Sequence, residues 1–488
     1  DFPNVYNGFI GIEKRGSSSQ FFYEKKAYSI ELRKPNGDER SESLLGMPSE
    51  SDWALISPLN DKTLLRDKMA YTLAGLTMDW APRSQHVEVL LNDVYEGVYL
   101  LIEVVRRNKD RVNVPKVTPA DTSAAALTGG YIMSFDKIAG SYPGGDWVLP
   151  NHPVGQPNYN TWVQMVYPKW TDLLPVQKKY IQNYMDDFDR FLEKWVPNMP
   201  GPPAYLKYID VDSWVDYLLV NELCKNVDGY RLSAFFYKDR DTSGLHSGKI
   251  HMGPVWDFNI SMGIGDYCQG DSYRGWVKNF NKYCSGDQWL IHFWWDKLLQ
   301  EGDFQVRVKE RWKAMRQQAW SDQRIRFLTD SLAQTLEGAR DRNFLRWPVI
   351  GQYVWPNSFV GASYADELQY MRLFLLNRAQ WMDENIEFIG PEPVRETPGI
   401  DGPVFYYPNP AVTDQLQLEY DLPAESILQL YFYDTAGRFV FKSAVLPTGE
   451  PILFTYTLPA QLGNGLYMLK FVDRGKEIQS GKLMILQR

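Results

Sequence analysis

Two aspartates, Asp228 and Asp257, stand at the outer ends of two short apolar runs, RLSAFFY and KIHMGPVW. Between the runs lies KDRDTSGLHSG, whose Gly, Ser and Asp content marks a loop. The spacing predicts a β-hairpin, and a hairpin brings its two open ends together, with both carboxylates there. Paired carboxylates at an open strand end suit metal binding or acid–base work, because one can hold a cation while the other handles a proton. The same pattern also fits two solvated loop aspartates, and the residues alone leave both readings open.

A second candidate lies near the start of the chain. FIGIEKR, Phe9 to Arg15, alternates as a strand and runs into Gly16-Ser17-Ser18-Ser19. YSIELR follows as a second strand, entered by Lys25 and Lys26. A small polar turn between strands can offer backbone N–H groups and hydroxyls to an anion, with a lysine adding a point charge. An ordinary hairpin with a solvated lysine has the same signature.

These residues need elements to hold them. Asp61 reads as the N-cap of a helix over KTLLRDKMAYTLAGLTM, with Leu64, Leu65, Met69, Leu73 and Leu76 near a 3.6-residue period. Strands are expected over His86 to Leu91 and Gly97 to Val105, with Glu103 near the end of the second. Residues 1–110 thus read as a mostly antiparallel sheet carrying one helix. Past a strand at Gly130 to Phe135 and a loop at Gly140 to Tyr159, the pattern turns helical: Val176 to Trp195, then Asp212 to Cys224, capped by Asp212, which delivers the chain to Asp228. Further helices are expected over Leu290 to Leu299, Phe304 to Trp320, Ile325 to Arg342 and Tyr364 to Asn385, with Phe293, Trp294, Trp312 and Trp381 in their core. Residues 390–402 form a Pro/Gly linker, and 403–488 alternate as short strands at the spacing of an all-β sandwich. The fold class is α+β, with 1–110 β-rich, 111–389 helical and a small β domain last.

Composition narrows the function. A chain of 488 residues with 44% hydrophobic content is long enough for two or three folded domains. The net charge of −8 argues against a general nucleic-acid binder, which needs a basic face. No run of about twenty apolar residues is present to span a membrane. The chain starts at Asp1 without a Met or signal peptide, as a mature or trimmed product would. The three cysteines show no CxxC spacing, so a zinc signature is lacking; Cys268 and Cys284 can form one disulfide, and Cys224 reads as a buried thiol. The 17 Trp and 30 Tyr fit a core, though such residues on a surface also meet glycans or peptides.

From about Gly8 to Asn385 the chain resembles the spore-coat protein H (CotH) family of atypical secretory kinases. The resemblance rests on Lys14-Arg15-Gly16-Ser17-Ser18, Lys25-Lys26-Ala27-Tyr28, Leu45-Gly46-Met47-Pro48, Asp52-Trp53, Asp61-Lys62, Leu65-Arg66 and Asn92. It continues through Gly97-Val98-Tyr99-Leu100, Glu103, Asn221-Glu222-Leu223, Asp228 and Pro254-Val255-Trp256-Asp257-Phe258. The resemblance implies a protein-kinase-like fold of two lobes with ATP between them. It implies that Arg15, Ser17 and Ser18 cover phosphates, that Lys26 pairs with them, and that the last strand of the first lobe, ending near Glu103, supplies the hinge that meets adenine, which puts Glu103 among the cofactor-binding residues. Asp228 would be the catalytic base and Asp257 the ligand of Mg2+ or Mn2+.

The chain departs from the family pattern at two places. Ser233 stands where kinases and most relatives carry a metal-binding Asn, and Asn259 stands where the family tends to show a second acid after Trp-Asp. A hard cation prefers charged oxygen, so Ser233 and Asn259 are weakened ligands. The expectation is an ATP-dependent Ser/Thr protein kinase, with a catalytically impaired pseudokinase as the alternative. Residues 403–486 in turn resemble the sorting domain of the type IX secretion system. That likeness rests on Tyr407-Pro408-Asn409-Pro410, Asp434-Thr435-Ala436-Gly437-Arg438, Leu462, Gly465-Leu466-Tyr467 and Lys482-Leu483-Met484-Ile485. It implies a secreted or cell-surface protein of a Bacteroidetes-type bacterium, exported by that machinery.

Overall fold

The computed structural model describes residues 5–137, 145–241, 248–390 and, with short interruptions, 404–485. The expected linker, much of the hairpin loop and the start of the loop at Gly140 lie outside the described residues. The chain divides into two compact units, Asp1–Pro391 and Glu392–Arg488.

The first unit begins with β1 (Phe9–Arg15), α1 (Ser18–Phe22), β2 (Ala27–Arg33), β3 (Asp52–Ile56), α2 (Arg66–Ala74), β4 (Ser84–Leu91) and β5 (Val94–Glu103). The strands form one antiparallel sheet in the order β1-β2-β3-β5-β4. Period-two alternation assigns its faces. Ala54, Val98, Leu100 and Ile102 join the main core with Met69 and Leu73 of α2. Trp53, Leu55, Tyr99 and Leu101 close a smaller cluster with Leu32 and Met47. The Gly/Ser segment expected as a turn becomes the single turn of α1, entered by Gly16 at φ 96°. Helix α2 starts at Arg66 rather than after Asp61. The Asp61 carboxylate accepts from the backbone N–H groups of Thr63 (3.0 Å) and Arg66 (2.7 Å), which occupies the intervening residues with a side-chain-capped turn.

A second sheet follows: β6 (Tyr131–Phe135), β7 (Asp146–Val148), β8 (Trp162–Tyr167), β9 (Ala234–Lys238) and β10 (Ile250–Met252), ordered β10-β9-β6-β8-β7. The expected helical stretch therefore holds a five-stranded sheet as well. Its central strand, YIMSF, is buried at every position, and a strand buried on both faces shows no alternation to read.

The helices α3 (Pro175–Lys194) and α4 (Val211–Cys224) come between β8 and β9. After β10 follow α5 (Phe280–Tyr283), α6 (Trp294–Leu298), α7 (Gly302–Gln317), α8 (Asp322–Gln334), α9 (Ala339–Arg346) and α10 (Tyr364–Asn385). Helix α4 is buried nearly all round, as its sequence DSWVDYLLVNELC demands. Its N-cap is Asp210, whose carboxylate accepts from Ser213 N–H at 3.0 Å; Asp212 lies inside the first turn. The single helix expected over 325–342 is two, because Gly338 takes φ 76° between α8 and α9. Trp294, Trp312 and Phe293 are buried, and Trp381 packs against the same core. Cys268 and Cys284 form a disulfide, and Cys224 is a buried free thiol.

The second unit contains β11 (Val404–Tyr407), β12 (Gln415–Asp421), β13 (Leu428–Tyr433), β14 (Phe439–Lys442), β15 (Pro451–Thr457), β16 (Gly465–Asp473) and β17 (Lys476–Ile485). They pair as β11-β12-β15 and β14-β13-β16-β17. Alternate residues of both sheets, Leu416 and Leu418 with Leu428, Leu430, Phe432, Leu469 and Phe471, share one core. Among the described residues no helix is long and apolar enough to cross a membrane.

Candidate active site

Helix α4 ends at Lys225, which turns the chain at φ 49°. Asn226 Oδ1 then accepts from Asp228 N–H at 3.2 Å, fixing the backbone at the first aspartate. Arg231 Nη2 donates to Asp228 Oδ1 at 2.6 Å. The same guanidinium bonds Asp287 and the carbonyls of Val227 and Trp289, and it stacks over Phe280. The Asp228 carboxylate is therefore held in one orientation and stays part-exposed.

Strand β9 runs next and returns as β10, with Lys238 opposite Ile250 and Phe236 opposite Met252. Asp228 precedes the hairpin and Asp257 follows it, so both stand at its open end. Asp257 takes φ 61°. Helix α2 grips this turn from the side. Asp257 N–H donates to Tyr71 Oη at 3.0 Å, Phe258 N–H donates to Asp67 Oδ1 at 2.7 Å, and Tyr71 Oη itself donates to Asp67 Oδ1 at 3.0 Å. One turn further on, Arg66 Nε donates to the carbonyl of Ser261 at 3.1 Å.

The electrostatics of this end are acidic. The Asp257 side chain is open to solvent, yet protein packs around it closely. Desolvation, then the charges of Asp67, Asp228 and Asp136, push its carboxyl up to about 7, against a small opposing pull from Lys137. Burial pushes Asp67 up to about 6, although Phe258 N–H and Tyr71 lower it. Burial raises Asp136 as well. A second cation near Asp257 is Arg15, whose guanidinium lies over Trp256 at 5.4 Å from the ring centre; burial lowers its pKa and Asp257 raises it.

The other sequence-selected residues fall in different surroundings. Ser18 Oγ accepts from Lys137 Nζ at 3.1 Å. The carbonyl of Ser17 accepts from Gln20 N–H at the start of α1. Lys26 Nζ donates to the carbonyls of Gln20 (2.6 Å) and Tyr23 (2.5 Å), closing the end of α1. Its neighbour Lys25 is buried against Val98 O and Asn343 Oδ1, and burial lowers its pKa to about 7. Glu103 is buried too, with Arg83 Nε at 2.8 Å and Nη2 at 2.9 Å on its carboxylate. Ser233, at φ 48°, donates from Oγ to Asp136 Oδ2 at 3.2 Å. Asn259 contributes its carbonyl to Asn60 Nδ2 at 3.3 Å.

Sequence reasoning missed Asp67, Tyr71 and Asp136. The first two look like ordinary positions of an amphipathic helix, although an acid between Leu65 and Met69 on the buried side was a usable signal. Among the described residues no three His, Cys, Asp or Glu side chains are grouped to hold a metal by themselves. A cavity of about 830 Å3 lies elsewhere, lined by Met78, Trp80, Arg111, Tyr237 and His251 among others, and neither Asp228 nor Asp257 borders it.

Two aspartates at the mouth of a hairpin, a helix clamped to the second of them and a Ser-bearing segment beside them are parts that phosphoryl transfer uses. No curated protein matches the chain. The family model described as CotH kinase protein matches residues 12–382, which include both aspartates, the clamping helix and the Arg15–Ser18 segment. By that match over most of its length, the chain belongs to the CotH kinase protein family.

Proposed function

We propose that the chain is an exported CotH-like atypical protein kinase that transfers the γ-phosphate of ATP to Ser or Thr of a surface or secreted protein. The observation that carries this reading is the meeting of Asp228 and Asp257 at one end of the β9–β10 hairpin, with the charge of Asp257 acting on Arg15. In this reading Asp228 orients the acceptor hydroxyl, and Asp257 holds Mg2+ or Mn2+. Arg15, Ser17 and Ser18 lie along the phosphates, and the strand ending near Glu103 supplies the hinge that meets adenine between a β-rich and a helical lobe. The donor set fits a divalent ion bound with nucleotide. Mg2+ takes one or two carboxylates and completes its shell with water and phosphate oxygens, so a cage of three protein acids is not required. When bound, the ion offsets the negative charge of the phosphates; the protein's part is to position and to exclude competing geometries.

Residues 403–488 are read as a β-sandwich sorting domain addressed by the type IX secretion machinery. Support comes from the Asp434–Arg438 turn, where Asp434 Oδ1 accepts from the N–H groups of Ala436 and Arg438, and from the paired strands around Gly465-Leu466-Tyr467. Export to the cell surface follows from that reading.

A second reading, a pseudokinase acting as a surface interaction protein, is favoured by Ser233 and Asn259. Calorimetric titration of ATP with Mg2+, with Mn2+ and with chelator separates the two. Metal-dependent binding in the wild type, lost in Asp257→Ala, is the result expected of a kinase, together with phosphate transfer that Asp228→Ala abolishes without unfolding the chain. Wild type that binds no nucleotide under any of these conditions is a pseudokinase.

A further inference from the structure

Two places in the nucleotide site lack the residue that its chemistry calls for. Ser233 stands where the family resemblance implies a metal-binding Asn, and the lysine it implies for the phosphates, Lys26, is committed to two backbone carbonyls at α1. Lys25 is enclosed between Val98 and Asn343 and stacks on Tyr99, so it supplies no phosphate contact either.

One dipeptide stands at both places. The β6–β9 register sets Phe135 opposite Ala234, which brings Asp136 beside Ser233. The Ser233 hydroxyl donates to Asp136 Oδ2 at 3.2 Å, and Lys137 N–H donates to Asp136 Oδ1 at 2.7 Å. The Ser233 backbone N–H bonds the same carboxylate as well, and with about four lone-pair sites on its two oxygens the group keeps acceptor capacity for a cation. Lys137 Nζ reaches the other way, to Ser18 Oγ at 3.1 Å, while lying 5.4 Å from the Trp289 ring centre. Its ammonium has three donors, and that contact uses one. The dipeptide is also held from behind. Nε2 of the buried Gln164 on β8 donates to the carbonyls of Asp136 (3.1 Å) and Lys137 (2.9 Å). A side chain amide bridging two successive carbonyls fixes the backbone from which both charged groups project, the arrangement that preorganised sites require.

We propose that Asp136 and Lys137 complete the nucleotide site: Asp136, oriented by Ser233, supplies the second metal carboxylate, and Lys137 supplies the phosphate cation. The assignment rests on the kinase reading above. Ser233 then serves as the hydroxyl that aims a carboxylate from a neighbouring strand, and the change from Asn moves the ligand rather than removing it. Asp136 and Lys137 both lie near enough to Asp257 for their charges to act on it, the first raising its pKa and the second opposing that rise.

The test uses the full chain with ATP as the probe, titrated calorimetrically in Mg2+ and in chelator, and Mn2+ binding read by electron paramagnetic resonance. Lys137→Ala is expected to weaken ATP roughly tenfold or more in both media, and Lys137→Arg to recover most of the loss, as a charge-assisted phosphate contact would. Asp136→Asn is expected to erase the gain that metal gives to ATP affinity and to weaken Mn2+ binding, while leaving affinity in chelator near the wild-type value. A purely structural role would lower both affinities together, with a fall in melting temperature. Wild type that binds MgATP alongside both variants binding it equally well overturns this assignment and leaves the kinase reading standing. Wild type that binds neither MgATP nor Mn2+ overturns both.

Discussion

Two acids, Glu222 and Asp257, show how differently this fold treats a carboxylate. Glu222, in the last turn of α4, is fully buried and fully answered. It accepts from Val277 N–H (2.7 Å), Lys278 N–H (2.9 Å), Tyr230 Oη (3.1 Å) and Arg378 Nη2 (2.9 Å). Arg378 in turn lies over Trp381 and Trp276 and donates to the carbonyls of Glu222, Tyr273 and Gly275. Among the described residues Asp257 is held through its backbone, and desolvation followed by three other acids raises its carboxyl. Glu222 ties the helix to the chain that follows. Asp257 carries charge that the protein leaves poorly compensated, which is the condition under which a carboxylate gains most from a cation. Both belong to motifs of the family resemblance, so a matching acid is not by that fact a catalytic one.

The sharpest way to break this comparison is to remove Glu222. Truncation leaves Arg378 buried without its counter-ion and strips an acceptor from two backbone N–H groups. Loss of one member of a buried pair typically costs about 3–5 kcal/mol. Glu222→Ala is expected to lower the denaturation midpoint accordingly in urea unfolding followed by tryptophan fluorescence. An unchanged midpoint would mean that the Glu222 network contributes nothing to stability, and the contrast with Asp257 would vanish.

Asp67 tests the intermediate case, an acid that is structural and also part of the acidic end. Asp67→Ala leaves Phe258 N–H and Tyr71 Oη without their acceptor, at a cost of about 1–3 kcal/mol for buried polar groups. The effect should be local. Hydrogen exchange at Phe258 is expected to quicken more than exchange in the α4 core. Asp67→Asn retains a carbonyl acceptor and should keep most of that protection. Equal exchange in all three proteins would show that α2 does not hold the Asp257 turn.

Much of this arrangement was legible in the sequence where pattern and chemistry coincide. β1 matches FIGIEKR residue for residue, α10 matches Tyr364 to Asn385, and the hairpin that joins Asp228 to Asp257 follows from two apolar runs around a polar loop. What was not legible depends on tertiary register. Asp136 meets Ser233 only because β6, distant in sequence, pairs with β9, and nothing in YIMSFDK announces that neighbour. Lys26 looked more available than Lys25 because it enters the strand directly, but side-chain reach to the Gln20 and Tyr23 carbonyls is a property of the folded α1 turn. The cap at Asp210 rather than Asp212 is the same kind of miss, two acids two positions apart that only backbone direction distinguishes.

The smallest effect expected, and the one that most directly sharpens the contrast, is the pH dependence of stability. Asp257 sits at about 7 and Asp67 at about 6 in the folded chain, both above the ordinary carboxylate value of 3.8. Between those limits the folded protein holds protons that the unfolded chain has released, so stability falls as pH rises through the window and levels off above about 7. Asp257→Asn removes the upper part of that titration. The melting temperature of the wild type is expected to fall between pH 5 and pH 8, and that of the variant to fall less and to stop near pH 6. Parallel profiles for the two proteins would show that Asp257 is as well compensated as Glu222. Ligand binding runs the opposite way over the same window. A carboxylate must be charged to hold a cation, so metal-dependent ATP affinity should rise as the pH passes 7 while the ligand-free fold becomes less stable. A charge that the ligand-free fold disfavours is then the charge that a bound cation would meet.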